Sequence, residues 1–191
     1  MRPTFIEELM AAGRGVFGLL VGDKGAPGYF DFSPRGLAGS FIAFLLVTAL
    51  NAYLPLFLGL EPGNGEITRS ILMVGLLFGL QVLFSAIVLR QLKRMDGLVP
   101  YLVADNWATF FLTLISGALA AAGVTGDFVI IGLGIVVIIV EVNIARLVVT
   151  LSPLQIAMFL VAQLVGVSIG LVLIGFLLPV PPDQLAQFAM N

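Results

Sequence analysis

The sequence predicts an all-α membrane protein with five transmembrane helices, preceded by a cytoplasmic amphipathic helix at the membrane interface. Of its 191 residues, 60% are apolar and only 10% are charged, and the mean hydropathy is +1.13. Soluble domains average about 45–50% apolar and about 25% charged residues, so this chain has too few charges to cover a water-facing surface. Five apolar stretches are long enough to cross a bilayer, and the Lys and Arg residues cluster on one side of them.

The N-terminal segment, residues 1–36, is too polar to span a membrane. Its apolar residues recur at helical spacing, and Thr4 and Glu7 have the spacing of a capping box. We therefore predict an amphipathic helix over residues 4–20, lying at the cytoplasmic interface. Three glycines in this stretch disfavour a helix, which leaves a disordered cytoplasmic tail as the alternative. The start lacks the pattern of a signal peptide, so we expect it to be retained.

The transmembrane domain, residues 37–180, contains five predicted spans. They cover about residues 37–60, 67–89, 98–124, 128–151 and 154–180. Turn-forming or charged clusters separate them, at residues 61–66, 90–97, 123–127 and 152–153, and three prolines end the last. Because all these connections are short, we expect consecutive spans to be antiparallel neighbours.

The distribution of basic residues predicts the orientation. With the N-terminus inside, eight of the nine Lys and Arg residues lie on or near the cytoplasmic side, and only Arg69 lies outside. We therefore expect a bacterial inner-membrane protein with a cytoplasmic N-terminus and a short periplasmic tail at residues 181–191.

Several polar residues fall inside the predicted spans, where hydrocarbon makes them costly. Counting from the cytoplasmic end of each span, one polar layer lies roughly 12–17 Å deep at about 1.5 Å per residue. The candidate residues of this layer and its surroundings are Gln81, Asp105, Asn106, Glu141, Asn143, Arg146 and Gln163. Asn51 in the first span is a further intramembrane polar residue.

The polar layer has two interpretations. Asp105 and Glu141 are its ionisable members, so it could form a polar pathway or a site that exchanges protons. Alternatively, its side chains only bond neighbouring helices together, with Asp105 or Glu141 paired to Arg146.

Small residues four positions apart form a second feature of the spans, because they let helix backbones approach closely. The candidate helix-packing residues are Gly75 and Gly79, Gly117 and Ala121, and Gly166 and Gly170. They either pack helices within the chain or bind a partner or a second copy.

The composition also excludes chemistry. The chain has no His and no Cys, which excludes zinc sites, thiolate nucleophiles and disulfides. We expect no cofactor, no metal site and no catalytic residues, and the balanced charge argues against nucleic acid as a partner. The remaining enzymatic alternative is lipid modification with Asp105 and Asn106 as the acid/base pair.

Two short segments carry a family resemblance: YFDFSPRG at residues 29–36, leading into the first span, and YLVADNWA at residues 101–108 in the third. They resemble segments of bacterial Yip1-like membrane proteins. The resemblance implies a five-span membrane fold. Eukaryotic members act in vesicle trafficking with Rab GTPases, but the Asp-Leu-Tyr-Gly-Pro segment of those members has no counterpart here.

Together these observations predict a non-enzymatic membrane adaptor or organiser that contacts membrane lipids. We expect it to form a homo-oligomer or to bind another membrane protein. The alternative is a small transporter or channel component that uses the polar layer.

Overall fold

The computed structural model describes residues 4–57, 59, 63 and 65–177, and within them it contains six α-helices and no strand. The helices are α1 (Phe5–Val21), α2 (Pro34–Phe57), α3 (Glu66–Gln91), α4 (Leu98–Ala121), α5 (Asp127–Asn143) and α6 (Pro153–Leu177). Helices α2 to α6 are each long and apolar enough to cross a membrane, α4 and α5 together with the short helical turns beside them. This confirms the predicted fold class. The end of the fifth predicted span and the tail at residues 181–191 lie outside the described residues.

Helix α1 is an ordered amphipathic helix that packs on the bundle. The predicted capping box is present: the Glu7 amide donates to the Thr4 hydroxyl at 3.3 Å, and the Thr4 amide donates to Glu7 Oε2 at 2.7 Å. Gly22 ends the helix with φ of 73°, a conformation that favours glycine. One face of α1 packs against α4 and α5, and exposed apolar side chains such as Ile6 and Phe17 lie on the other.

Helix α5 is shorter than its predicted span of 128–151. It continues beyond Asn143 as a π-helical segment, Ile144–Val148, and the chain then turns at Thr150, which has φ of 59°. Arg94 holds this turn by donating to the Val149 carbonyl at 2.6 Å and to the Thr150 carbonyl at 3.1 Å. The turn therefore depends on a side chain that comes from the α3–α4 connection.

The closest helix pairs are not consecutive in sequence. Helix α2 packs most closely along α4, and α3 along α6, while consecutive spans are also in contact with each other. Small residues explain both pairs, because glycine and serine on one helix let the backbone of the next approach. Ser40 lies on the face of α2 toward α4, where its hydroxyl accepts a bond from Asn106, and Gly166 and Gly170 lie on α6 against α3.

The two ends of the bundle differ in charge. We call the end with α1, the α3–α4 connection and Arg146 the basic end, and the end with Glu66 and Asp127 the acidic end. Packing differs in the same direction. The half of α4 toward the basic end is enclosed, whereas its half toward the acidic end is largely exposed.

Candidate functional site

The centre of the bundle is the enclosed half of α4, where every residue from 101 to 108 is buried. Tyr101 and Asp105 are four residues apart, so they lie on the same face of this helix. Tyr101 is 0% exposed and Asp105 is 5% exposed. Buried polar groups need partners, and those of Tyr101 and Asp105 come from the three other helices around this face.

A hydrogen-bond network joins α3, α4 and α6 around Tyr101. The Tyr101 hydroxyl accepts one bond from Gln81 Nε2 at 2.8 Å and another from Gln163 Nε2 at 2.6 Å. Gln163 Nε2 also donates to the Ser85 hydroxyl at 3.3 Å. The Tyr101 ring packs edge-on against Phe159, with 5.0 Å between ring centroids. These contacts fix Tyr101 and both glutamines in one arrangement.

Asp105 and Glu141 form a carboxyl pair at one end of this network. Their carboxyl groups line the same space between α4 and α5, and Gln81 Nε2 lies 3.5 Å from both Asp105 oxygens. The Glu141 Oε2 atom is enclosed and has no hydrogen-bond partner among the described residues. In low-dielectric surroundings two facing carboxyl groups cannot both stay negatively charged unless a proton or cation lies with them. Within the described part of the chain no third carboxylate joins them.

A cleft of about 310 Å³ opens beside the carboxyl pair. It lies between α4 and α5, with Asn51 of α2 at its side. Its polar lining residues are Asn51, Asp105, Thr109, Thr113, Ser116 and Glu141. A water molecule in the liquid occupies roughly 30 Å³, so the cleft has room for several waters or for a small solute beside the carboxyl groups.

The structure therefore brings four of the predicted polar residues together and places the other three elsewhere. Gln81, Asp105, Glu141 and Gln163 share one network. Asn106 points to α2, where its Nδ2 donates to the Ser40 hydroxyl at 3.1 Å and its Oδ1 has no partner. Asn143 Nδ2 donates to the Leu19 carbonyl of α1 at 2.8 Å.

Arg146 does not neutralise the carboxyl pair. Its side chain is exposed in the π-helical segment at the basic end, and it makes no ion pair with Asp105 or Glu141, which are both described residues. If the polar layer only bonded helices together, Asp105 or Glu141 was expected to pair with Arg146. The structure does not show that pair.

The small-residue positions also divide into two groups. A Cβ atom at Gly166 would lie 2.9 Å from Phe84, one at Gly170 would lie 2.6 Å from Leu77, and one at Gly117 would lie 3.8 Å from Leu54. These three glycines face neighbouring helices. Gly75 and Gly79 do not pack on any described part of the chain, because no atom of it lies within 4 Å of a Cβ at either position, and Ala121 is exposed.

The sequence pattern missed Tyr101, Ser85 and the hydroxyl groups along the cleft. Tyr101 carried a usable signal, since it lies one helical turn before Asp105. Thr109 and Thr113 continue the same face at intervals of four residues, so an apolar-versus-polar helical projection of α4 would have found them. Ser85 carried no such signal, because a lone serine in a membrane helix usually bonds its own backbone.

Outside the spans, Glu8 is the notable ionisable group. It lies on the buried face of α1, and a Cβ at Gly39 of α2 would lie 2.5 Å from its Oε1. Burial raises the pKa of Glu8, the negative charge of Asp31 raises it further, and the positive charge of Arg35 partly offsets both. Its Oε1 has no hydrogen-bond partner, so ionisation of Glu8 opposes the packing of α1 on α2.

Comparison with known proteins adds no name to this geometry. No protein-family model matches the chain, and neither a curated protein nor a solved structure matches it. The assignment of function therefore depends on the carboxyl pair, its network and its cleft.

Proposed function

We propose that the protein is a small transporter or channel component that binds a proton or a small monovalent cation at the Asp105–Glu141 pair. The observation that carries this proposal is an intramembrane carboxyl pair beside a polar cleft, with no basic partner in the described part of the chain. Glu141 Oε2 is enclosed and has no hydrogen-bond partner among the described residues, so it is free to accept a bond from a bound proton carrier, water or solute. Intramembrane acids that face a polar cavity are typical of ion and proton pathways.

The Tyr101 network supports this proposal by holding the pair in place. Tyr101, Gln81 and Gln163 come from three helices and surround one wall of the pair. A binding site needs such rigid support, because loosely held ligand groups bind weakly.

Location and orientation are part of the proposal. We place the chain in a bacterial inner membrane with its basic end in the cytoplasm, on the strength of the Lys and Arg distribution. We also propose a relationship to bacterial Yip1-like proteins, which is supported by the sequences of residues 29–36 and 101–108. The second of these segments is the enclosed half of α4 that carries Asp105.

The test is flux in proteoliposomes with the purified chain. Proton flux is followed with an internal pH dye, and alkali-cation flux is followed with an ion-selective dye under an imposed gradient. We expect Asp105→Asn and Glu141→Gln to abolish the flux of the wild type. Glu7→Gln is the matched control, since it makes the same acid-to-amide change at an exposed position of α1 away from the cleft, where glutamine also completes a capping box, and it should retain flux.

Two results would contradict the proposal. One is a wild type indistinguishable from empty liposomes for protons and for each alkali cation under a gradient. The other is unchanged flux in both acid variants when they are folded by size-exclusion chromatography.

The adaptor function is the second candidate, because one specific surface favours it. Gly75 and Gly79 lie on a face of α3 that no other part of the described chain covers. Such a face allows a second helix to approach closely. If it binds a partner or second copy, Gly79→Leu will reduce the mass of the complex in native lipid particles, whereas Gly132→Leu on the open side of α5 will not. Equal masses for both variants would remove this face from assembly.

A further inference from the structure

We propose that the carboxyl pair is reached through a water-filled vestibule that opens at the acidic end of the bundle, is closed toward the basic end, and favours cations over anions. The inference deepens the proposed function and rests on it, since it specifies the access side and the charge of the solute. Three observations carry it: the course of the cleft, the packing on either side of the pair, and the chemistry of the walls.

The cleft runs from the pair toward the acidic end. On α4 its lining residues follow one face from Asp105 through Thr109 and Thr113 to Ser116. The eleven steps from Asp105 to Ser116 correspond to about 16 Å along the helix at about 1.5 Å per residue. Helix α5 runs the other way, and its lining residues descend in number from Glu141 to Leu133, about 12 Å along that helix.

Asn51 extends this course, because it also lines a second cavity of about 150 Å³ between α2 and α3. That cavity contains the polar side chains of Thr48 and Ser70 and reaches Glu66, the first residue of α3 at the acidic end. Asn51 therefore lines both cavities. Together the two cavities extend from the carboxyl pair to the first turn of α3.

Toward the basic end the chain fills the space around α4. Residues 101 to 104, which lie on that side of Asp105, are each buried, and Tyr101, Val103 and Ala104 are 0% exposed. Helix α1 adds a further layer over α5, where its Leu19 carbonyl accepts a bond from Asn143 on the basic-end side of Glu141. Access from the basic end would require these contacts to break.

Wall chemistry favours water over lipid in the vestibule. Hydroxyl and amide groups facing acyl chains would lose hydrogen bonds at a substantial cost, whereas water satisfies them. Carboxyl groups lie at both ends of the path, at Glu66 and at the Asp105–Glu141 pair, and no Lys or Arg lines either cavity among the described residues. A cleft lined by charges of one sign concentrates counter-ions, so cations are favoured.

The chain contains no cysteine, so single cysteines can be introduced into the natural sequence without a prior cysteine-removal step. Thr113→Cys places a thiol on the vestibule wall. Ser168→Cys is its depth-matched control, because Thr113 and Ser168 each lie fifteen residues after the first residue of their helix, and Ser168 is exposed on the bundle's outer surface. Thr125→Cys, exposed between α4 and α5, is the reference for full access from the acidic end.

The probes are a cationic and an anionic methanethiosulfonate of similar size, neither of which crosses membranes, added to either side of oriented proteoliposomes. They react with thiolates in water, so a thiol in lipid stays unmodified. We expect Thr113→Cys to react at least about tenfold faster than Ser168→Cys, and only from the side on which Thr125→Cys reacts. The ratio of the cationic to the anionic reaction rate should be higher at Thr113→Cys than at Thr125→Cys. Adding Glu141→Gln and Asp105→Asn to Thr113→Cys should lower that ratio.

Each other outcome overturns a stated part. If Thr113→Cys is as unreactive as Ser168→Cys, lipid or protein fills the cleft and the vestibule does not exist. Reaction from both sides shows that the basic end is open, and equal rates for the two reagents remove the charge preference. If Thr113→Cys is not labelled but flux still depends on Asp105 and Glu141, the vestibule is refuted and the proposed transport is not. If Thr113→Cys is labelled from one side but the protein carries no flux, the proposed transport is refuted and the vestibule is not.

Discussion

The contact between α3 and α6 at Gly166 provides a sharp test of how this bundle is held together. A Cβ atom at Gly166 would lie 2.9 Å from Cδ2 of the Phe84 ring and 3.3 Å from the Leu80 carbonyl oxygen. Neither a ring packed between helices nor a backbone oxygen can move away easily. Gly166→Ala should therefore push α3 and α6 apart.

The magnitude follows from two opposing terms. Overpacking a well-packed contact costs typically about 1–3 kcal/mol. Replacing glycine by alanine within a helix gains up to about 1 kcal/mol. Gly75→Ala makes the same substitution in α3, where nothing lies within 4 Å of the new Cβ, so it keeps the gain without the clash. The difference between the two variants cancels the helix term and should be about 1–3 kcal/mol.

Gly170→Ala separates a rigid clash from a soft one. There the nearest atoms belong to the flexible ends of Leu77 and Leu80, which can change rotamer, so this variant should fall between the other two. The free energy of unfolding is measured by reversible denaturation in mixed micelles, with each variant compared at the same detergent composition. Equal stabilities for Gly166→Ala and Gly75→Ala would refute the packing of α3 on α6 described here.

Two further predictions concern the basic end. Because burial and the charge of Asp31 raise the pKa of Glu8, the packing of α1 is strongest below the ordinary pKa of a glutamate and weakens as pH rises through the raised value. Glu8→Gln should remove that dependence, as seen by hydrogen exchange of α1 amides corrected for intrinsic rates, and a retained dependence would exclude Glu8 as its source. Arg94→Lys keeps the charge but loses the paired bonds to Val149 and Thr150, so it should destabilise this turn by about 1–2 kcal/mol in thermal unfolding, with Lys93→Arg as the neutral control.

Some elements were predictable because their causes are local. The capping box at Thr4 and Glu7 and the proline that opens α2 act within one helical turn, so the sequence alone reveals them. The length and hydropathy of the spans are local properties in the same sense. The pairing of α2 with α4 was not predictable in this way, because it depends on which face of each helix carries its small residues in three dimensions.

The site shows the same division. Depth counting placed Gln81, Asp105, Glu141 and Gln163 in one layer, because a helix converts residue number into distance at a fixed rise. Counting residues gives the depth of a side chain but not its direction around the helix axis. Asn106 and Asp105 are adjacent in sequence and similar in depth, yet they point in different directions. Asn106 faces Ser40 of α2, while Asp105 faces Gln81 and Glu141.

Helix α1 is the element that controls the basic end, and its contacts lie next to the carboxyl pair. Asn143, which holds the end of α1 through the Leu19 carbonyl, is only two residues from Glu141 on α5. At the other end of α1, Phe5 packs on Trp107, two residues from Asp105 on α4. A rigid helix that touches the supports of both acids cannot leave without altering the packing around both. Moving α1 would therefore alter the packing around both acids, and the ionisation of Glu8 in the first turn of that helix favours such a movement.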